Sequence, residues 1–192
     1  LEGHNPFIFP QASTLAFKFP ARGTMPALEL TWYDGTDNLP PLPDNMGASV
    51  VDTDIPPPSK GAAGPDTRKR PPGKVIYGEG LTFKGGSHAS TLKIIPEDKA
   101  KELESKLPKV AKSPSNHFAN FLKAANGEEK PRSNFAVAGP LCQAMAIGII
   151  AQRVNAKLKF DRATKRITNH QVANELLNGV PPRPGWEQYY KV

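Results

Sequence analysis

The chain has 192 residues, 38% of them hydrophobic and 22% charged, so it is long enough to bury a core and too apolar to be a disordered polar tail. Its net charge of +7 comes from basic residues spread along the chain, with one tight cluster at Arg68-Lys69-Arg70, so we expect a solvated basic surface and no nucleic-acid partner. A single cysteine, Cys142, excludes an internal disulfide and a cysteine-based zinc site.

Targeting and membrane features are sparse. The longest apolar run, Leu141 to Ala151, is shorter than the roughly 20 residues of a membrane span, so no membrane partner is expected. No signal peptide is recognisable. Because the sequence begins at Leu1 rather than Met, we expect a piece of a longer protein whose targeting segment, cytoplasmic or exported, would lie upstream.

Two strands are predicted near the N-terminus. Apolar residues alternate with small or polar ones from Thr14 to Phe19 and from Ala27 to Tyr33, and turn-forming residues lie between them. This pattern indicates an antiparallel pair. A helix-free sheet face is expected to carry either the Leu28, Leu30 and Trp32 set or Tyr33, and to pair with another subunit.

The stretch from Leu39 to Pro72 differs from its surroundings. It contains nine of the 21 prolines and few large apolar residues. Because proline lacks the N–H that a strand or helix interior uses, we predict a long surface excursion within a single domain, residues 1–192.

Strand patterns return after the excursion. Val75–Tyr77 and Leu81–Phe83 flank a Gly-Glu-Gly turn and predict a hairpin. Thr91–Ile95 predicts a further strand, and Pro96-Glu97-Asp98 begins a helix that ends before Pro108.

The second half of the chain is mostly helical. Ser113–Asn116 starts a helix with an apolar stripe at Phe118, Phe121, Leu122 and Ala125. Gly139-Pro140 starts the most apolar helix, which ends near Val154 and should be buried on most sides or face another domain. Leu158, Phe160 and Ile167 continue as short strands, and Asn169 caps a last helix through Leu177. Together these elements predict an α+β fold with an open, mostly antiparallel sheet and helices on one face.

The residues alone reveal no catalytic constellation. The four histidines lack metal-ligand spacing, and the glycines of residues 78–86 lie between strands rather than at a phosphate-binding helix. Asp52 and Asp54 are expected to be solvated, and Cys142 to be an inert residue of a buried helix.

An ordered set of short strings resembles the C-terminal α/β domain of the glucose–fructose oxidoreductase, inositol dehydrogenase and MocA family, in the form common among Bacteroides-type and planctomycete bacteria. The strings extend along nearly the whole chain; they are Phe19–Gly23, Leu30–Gly35, Gly73-Lys74, Gly85–Ser87, Ile94–Glu97, His117, Ser133–Phe135, Ala138–Leu141, Thr168-Asn169 and Ala173-Asn174.

The resemblance implies a parent enzyme that transfers hydride with NAD or NADP, bound by a Rossmann-type domain upstream of Leu1. The family's catalytic lysine and its Gly-Cys-His-type helix match nothing in this chain, so no catalytic, cofactor-binding or metal-binding residue is assigned. The implied roles are the substrate-side wall of the cleft, for a sugar-like small molecule, and homo-oligomerisation through the sheet. His117, Tyr77 and Trp32 are the candidate substrate-binding residues, although His117 also fits a surface histidine at a helix end.

Two other functions stay open. One is a non-catalytic carbohydrate-binding or assembly module, and the other is a domain of a glycosidase that uses nicotinamide transiently. A Gly-rich strand–turn–helix upstream of Leu1 would favour the dehydrogenase or the glycosidase.

Overall fold

The computed structural model describes residues 2–5, 7–47, 73–86, 91–109 and 111–189. The fold is of the α+β class with open antiparallel sheets, as the sequence predicted. Contacts group the chain into two compact units, Leu1–Gly35 with Pro114–Val192 (unit 1) and Thr36–Ser113 (unit 2).

The described strands and helices follow in chain order: β1 (Ser13–Phe19), β2 (Leu28–Asp34), β3 (Gly73–Tyr77), β4 (Thr82–Gly86), β5 (Lys93–Ile95), α1 (Glu97–Leu103), α2 (His117–Ala125), α3 (Phe135–Val154), β6 (Phe160–Asp161), β7 (Arg166–Ile167) and α4 (Gln171–Asn178). Short 3₁₀ turns extend α1 at Glu104–Lys106 and lie near the C-terminus at Glu187–Tyr189.

Strands β1 and β2 form the predicted antiparallel hairpin of unit 1. The register pairs Leu15 with Trp32 and Phe17 with Leu30. Directly opposed residues share a face of the sheet, so Leu28, Leu30 and Trp32 lie on the same face as Leu15 and Phe17. The opposite face carries Thr14, Ala16, Lys18, Glu29, Thr31 and Tyr33.

Helix α3 lies on the apolar face of that hairpin. A Cβ atom built on Gly148 would stand 2.6 Å from Phe17 Cζ and 3.5 Å from Leu15 Cδ1, so the helix backbone meets β1 directly. Gln152 donates a 2.6 Å hydrogen bond to the hydroxyl of the buried Ser13. Of the two alternatives expected for a helix-free face, the Leu28, Leu30 and Trp32 set lies on the α3 side, and Tyr33 lies on the opposite face.

Helix α3 also begins earlier than predicted. Its first residue is Phe135 rather than Leu141, because the Asn134 side chain accepts a 3.2 Å hydrogen bond from Val137 N and caps the helix there. Pro140 lies inside the helix. The C-terminal end near Val154 is confirmed, and it is closed by Asn155 in the left-handed region at φ 48°.

The core of unit 1 joins α3, α4 and the β6–β7 hairpin. Its buried members are Ile150, Ile167 and Ala173, with Phe160 and Leu177 packed against them. Helix α4 is capped by His170, whose Nδ1 accepts from Ala173 N, and not by Asn169. The Asn169 amide instead closes the preceding loop, because it accepts from Lys159 N and donates to Lys157 O.

Unit 2 contains the sheet β3-β4-β5, in which both pairs are antiparallel. Helix α1 packs against β5, where Ile94 and Ile95 are buried. Of the Pro-rich stretch, residues 39–47 contain no helix or strand; its remainder, with Asp52, Asp54 and Arg68–Arg70, lies outside the described residues.

Candidate functional site

The three predicted substrate-binding residues are divided between the two units of the structure. His117 and Trp32 belong to unit 1 and Tyr77 to unit 2. All three are exposed, Trp32 by 49% and Tyr77 by 66%. Each therefore has an accessible ring, while their assembly around one ligand stays a prediction.

His117 is the first residue of α2. The helix is capped by Asn116, whose side chain accepts a 2.8 Å hydrogen bond from Ala119 N. The imidazole meets the Phe118 ring edge-on, with centroids 5.6 Å apart. This is the environment of a solvent-facing histidine at a helix end.

Helix α2 has its apolar side outward and a polar residue inward. The predicted stripe of Phe118, Phe121 and Leu122 is 64–73% exposed, whereas Asn120 is only 4% exposed. An amphipathic helix normally buries its apolar side. The orientation follows from the hydrogen bonds that Asn120 makes.

Asn120 ties α2 to the loop that follows it. Its amide donates to Glu129 Oε2 at 2.8 Å and to Lys130 O at 3.1 Å, and its oxygen accepts from Arg132 N at 3.0 Å. Hydrogen bonds from Asn120 and then from Ser115 lower the pKa of Glu129, and Lys123 adds to the effect. These bonds satisfy a buried amide and hold the apolar side of α2 toward solvent.

The two halves of α3 have different surroundings. In the C-terminal half, residues 145–154, Gly148 and Ile150 are buried against β1 and the core. In the N-terminal half, residues 135–144, Phe135, Val137 and Leu141 are 61–93% exposed. Cys142 is exposed as well, so the expectation of a buried thiol is wrong.

The hairpin face beside α3 is only partly covered. Leu15 and Phe17 on β1 are half-buried, whereas Leu28, Leu30 and Trp32 on β2 are 45–59% exposed. Helix α3 thus covers the β1 side of the face and leaves the β2 side open, where the Trp32 ring is accessible.

By length and composition alone, α3 could cross a membrane, which corrects the expectation that no segment is long enough. The earlier start at Phe135 supplies the missing length. In the C-terminal half, Gly148 contacts Phe17 and Ile150 packs into the α4 core, whereas Met145 and Ile149 are 42% and 49% exposed.

Among the described residues no group of three or more His, Cys, Asp or Glu side chains could hold a metal ion. Comparison with family models, with curated proteins and with solved structures finds no match.

Sequence reasoning missed two polar features. The Asn120 network was overlooked because an asparagine on the side of a helix opposite its apolar stripe usually faces solvent. The basic run from Lys157 to Arg166 was overlooked because its charges, apart from the pair Lys165-Arg166, are two or three residues apart; counting charges in a ten-residue window would have found it.

Proposed function

We propose that this chain is the substrate-side and oligomerisation domain of a nicotinamide-dependent oxidoreductase that acts on a sugar or polyol derivative. NAD or NADP would be bound by a Rossmann-type domain outside this sequence, and the hydride transfer would take place between that domain and this one. The ordered strings quoted above support the family, and the exposed N-terminal half of α3 is the observation that carries the domain role.

The exposed apolar side chains in the N-terminal half of α3 suit a contact with another domain. Val137 and Leu141 lie one turn apart on the same side of the helix, Phe135 lies on another side, and water disfavours such exposed apolar side chains. A surface covered by a second domain would account for a helix that is apolar on nearly all sides.

Cofactor titration tests this assignment. We expect the 192-residue chain to show negligible affinity for NAD(H) by calorimetry, because no strand–Gly-rich turn–helix for pyrophosphate is present in its sequence. Saturable binding of NAD(H) at micromolar concentration would contradict the assignment of cofactor binding to a separate domain.

Substrate binding is tested by titration with myo-inositol and glucose, followed by the NMR resonances of the two tryptophan indoles. We expect weak, saturable perturbation of the Trp32 indole resonance, retained in Trp186→Ala. Perturbation at Trp186 alone, or none at Trp32, would contradict a substrate-side role for Trp32. Tight sugar binding by the isolated chain would favour a carbohydrate-binding module instead.

Oligomerisation is proposed through the open β2 side of the hairpin. Leu28 and Leu30 form an uncharged apolar strip there, suited to a second copy, and Trp32 at the other end of the strand stays open to the substrate. Light scattering at ~100 μM should give at least a dimer. Leu30→Glu should yield a monomer, and Thr31→Glu, on the opposite face, should not; a monomeric parent chain would contradict the proposal.

A further inference from the structure

Basic side chains are concentrated on and just before the β6–β7 hairpin. Residues 157–166 contain five exposed cations and one carboxylate; the cations are Lys157, Lys159, Arg162, Lys165 and Arg166. In the part of the chain that the structure describes, none of the five forms a salt bridge, whereas Lys18, Lys123 and Arg132 each pair with a glutamate. Unpaired like charges at this density repel one another and attract an anion.

The carboxylate within this run is committed to the turn. Asp161 stands opposite Arg166 in the ladder, on the same face. Its Oδ1 accepts from Ala163 N at 2.9 Å and its Oδ2 from Thr164 Oγ1 at 2.8 Å, so it closes the turn instead of pairing with Arg166. The guanidinium of Arg166 is left with its donors available.

A cleft of about 580 Å³ adjoins Arg166 at the start of α4. Its polar lining includes Thr164, Thr168, His170 and Gln171, together with the carboxylate of Asp161, whose two oxygens accept hydrogen bonds within the turn. His170 Nδ1 accepts a 3.2 Å hydrogen bond from Ala173 N, so the hydrogen of the neutral ring is on Nε2, which is a donor. The positive end of the α4 dipole adds to the attraction for an anion.

We propose that this cleft binds a small ligand carrying a phosphate group, with the phosphate held by Arg166 and His170 and attracted by the neighbouring cations. Arginine suits this role because its planar fork matches two phosphate oxygens.

The surroundings favour a small ligand over a macromolecule. Single-stranded nucleic acid is bound on exposed aromatic platforms, and the aromatic residue of this hairpin, Phe160, packs against the core. A lipid surface is bound by apolar side chains beside the cations, and the turn between β6 and β7 presents only Ala163 and polar residues.

Calorimetric titration of the 192-residue chain with inorganic phosphate, glucose 6-phosphate and glucose, at constant ionic strength, tests the proposal. We expect saturable binding of both phosphates, and any weak binding of glucose should not depend on Arg166. A higher affinity for glucose 6-phosphate than for inorganic phosphate would show that the cleft also contacts the sugar. Equal affinities would show that it contacts the phosphate alone, and both results support the site.

Arg166→Gln should weaken phosphate binding about tenfold or more, since it removes a charge-assisted pair of hydrogen bonds. Arg183→Gln removes the same charge outside the cleft and should leave the affinity within about twofold. Arg166 makes no salt bridge to the described residues, so thermal unfolding of the variant should be unchanged; Arg162→Gln, in the exposed turn, provides a second test with a smaller loss.

Absence of saturable binding of either phosphate up to about 10 mM would overturn the proposal. If Arg183→Gln weakened phosphate binding as much as Arg166→Gln, the proposal would also be overturned, because the loss would then reflect the net charge of the chain and not the cleft. Binding of single-stranded DNA or of phosphatidylglycerol vesicles, without binding of the small phosphates, would show that the basic residues bind a macromolecule or a membrane and that the cleft is not a small-ligand site.

Discussion

The N-terminal and C-terminal halves of α3 share an apolar composition and differ in what surrounds them. From residue 145 onward the helix meets β1 through Gly148 and the core through Ile150, whereas before that point Phe135, Val137 and Leu141 are exposed. Apolar composition alone therefore does not distinguish a core helix from a docking surface. The small residue at the point of contact, Gly148, marks the half that is packed within this chain.

The largest expected effect comes from the packed half. Ile150→Ala should lower the free energy of unfolding by about 2–4 kcal/mol, because it opens a cavity beside Ile167 and Ala173. Leu141→Ala, in the exposed half, should change it by no more than about 0.5 kcal/mol. Urea unfolding measures both; equal losses would mean that the two halves are packed alike.

The two glycines of α3 make the next comparison. Gly148→Leu should lower the free energy of unfolding by about 1–3 kcal/mol, since even its Cβ would collide with the Phe17 ring. A Cβ at Gly139 meets nothing within 4 Å beyond its chain neighbours, so Gly139→Ala should change stability by less than about 1 kcal/mol, because the gain in helix propensity is opposed by contact with the Pro140 ring.

Urea melts with equal slopes decide this comparison. An unchanged or raised midpoint for Gly148→Leu would refute the close contact with β1 and assign that side of α3 to the exposed surface as well.

Helix α2 shows the same contrast on a smaller scale. Asn120→Ala should cost about 1–2 kcal/mol, because the Glu129 carboxylate, the Lys130 carbonyl and the Arg132 amide each lose a partner. Phe121→Ala removes a larger side chain that is 73% exposed and should cost less. The reverse order in chemical unfolding would show that the apolar side of α2 is the one that is packed.

The smallest expected effect is the pH dependence of stability that Glu129 contributes. The pKa of Glu129 is lower in the folded chain than in the unfolded chain, chiefly because of the Asn120 hydrogen bond. Its contribution is therefore present above the ordinary glutamate pKa of ~4.3 and is lost as the pH falls through the folded value. In Glu129→Gln the free energy of unfolding should therefore fall less steeply as the pH drops below ~4.3. The neighbouring Glu128→Gln should leave this pH dependence unchanged.

Local patterns predicted much of the fold. Alternation located β1 and β2, turn residues located the β3–β4 hairpin, and the end of α3 was predicted within a residue. The start of α3 differs from the prediction because Pro140, a residue typical of a first helical turn, lies inside the helix and Asn134 supplies a cap six residues earlier.

The candidate sites were less predictable, because they depend on contacts between distant residues. The orientation of α2 depends on a bond from Asn120 to Glu129, and the charge of Arg166 is unpaired because Asp161 bonds within its own turn. Neither pairing has a signature in residue type or spacing alone.

Thiol labelling tests the contrast between the two halves of α3 most directly. Cys142 is the single cysteine and lies in the exposed half, so in the native chain it should react with a maleimide within about tenfold of its rate in urea. In Cys142→Ser combined with Ile150→Cys, the thiol in the packed half should react at least about 100-fold more slowly under native conditions. Protection of Cys142 in the native chain, or rapid labelling at position 150, would contradict the division of α3 into an exposed and a packed half.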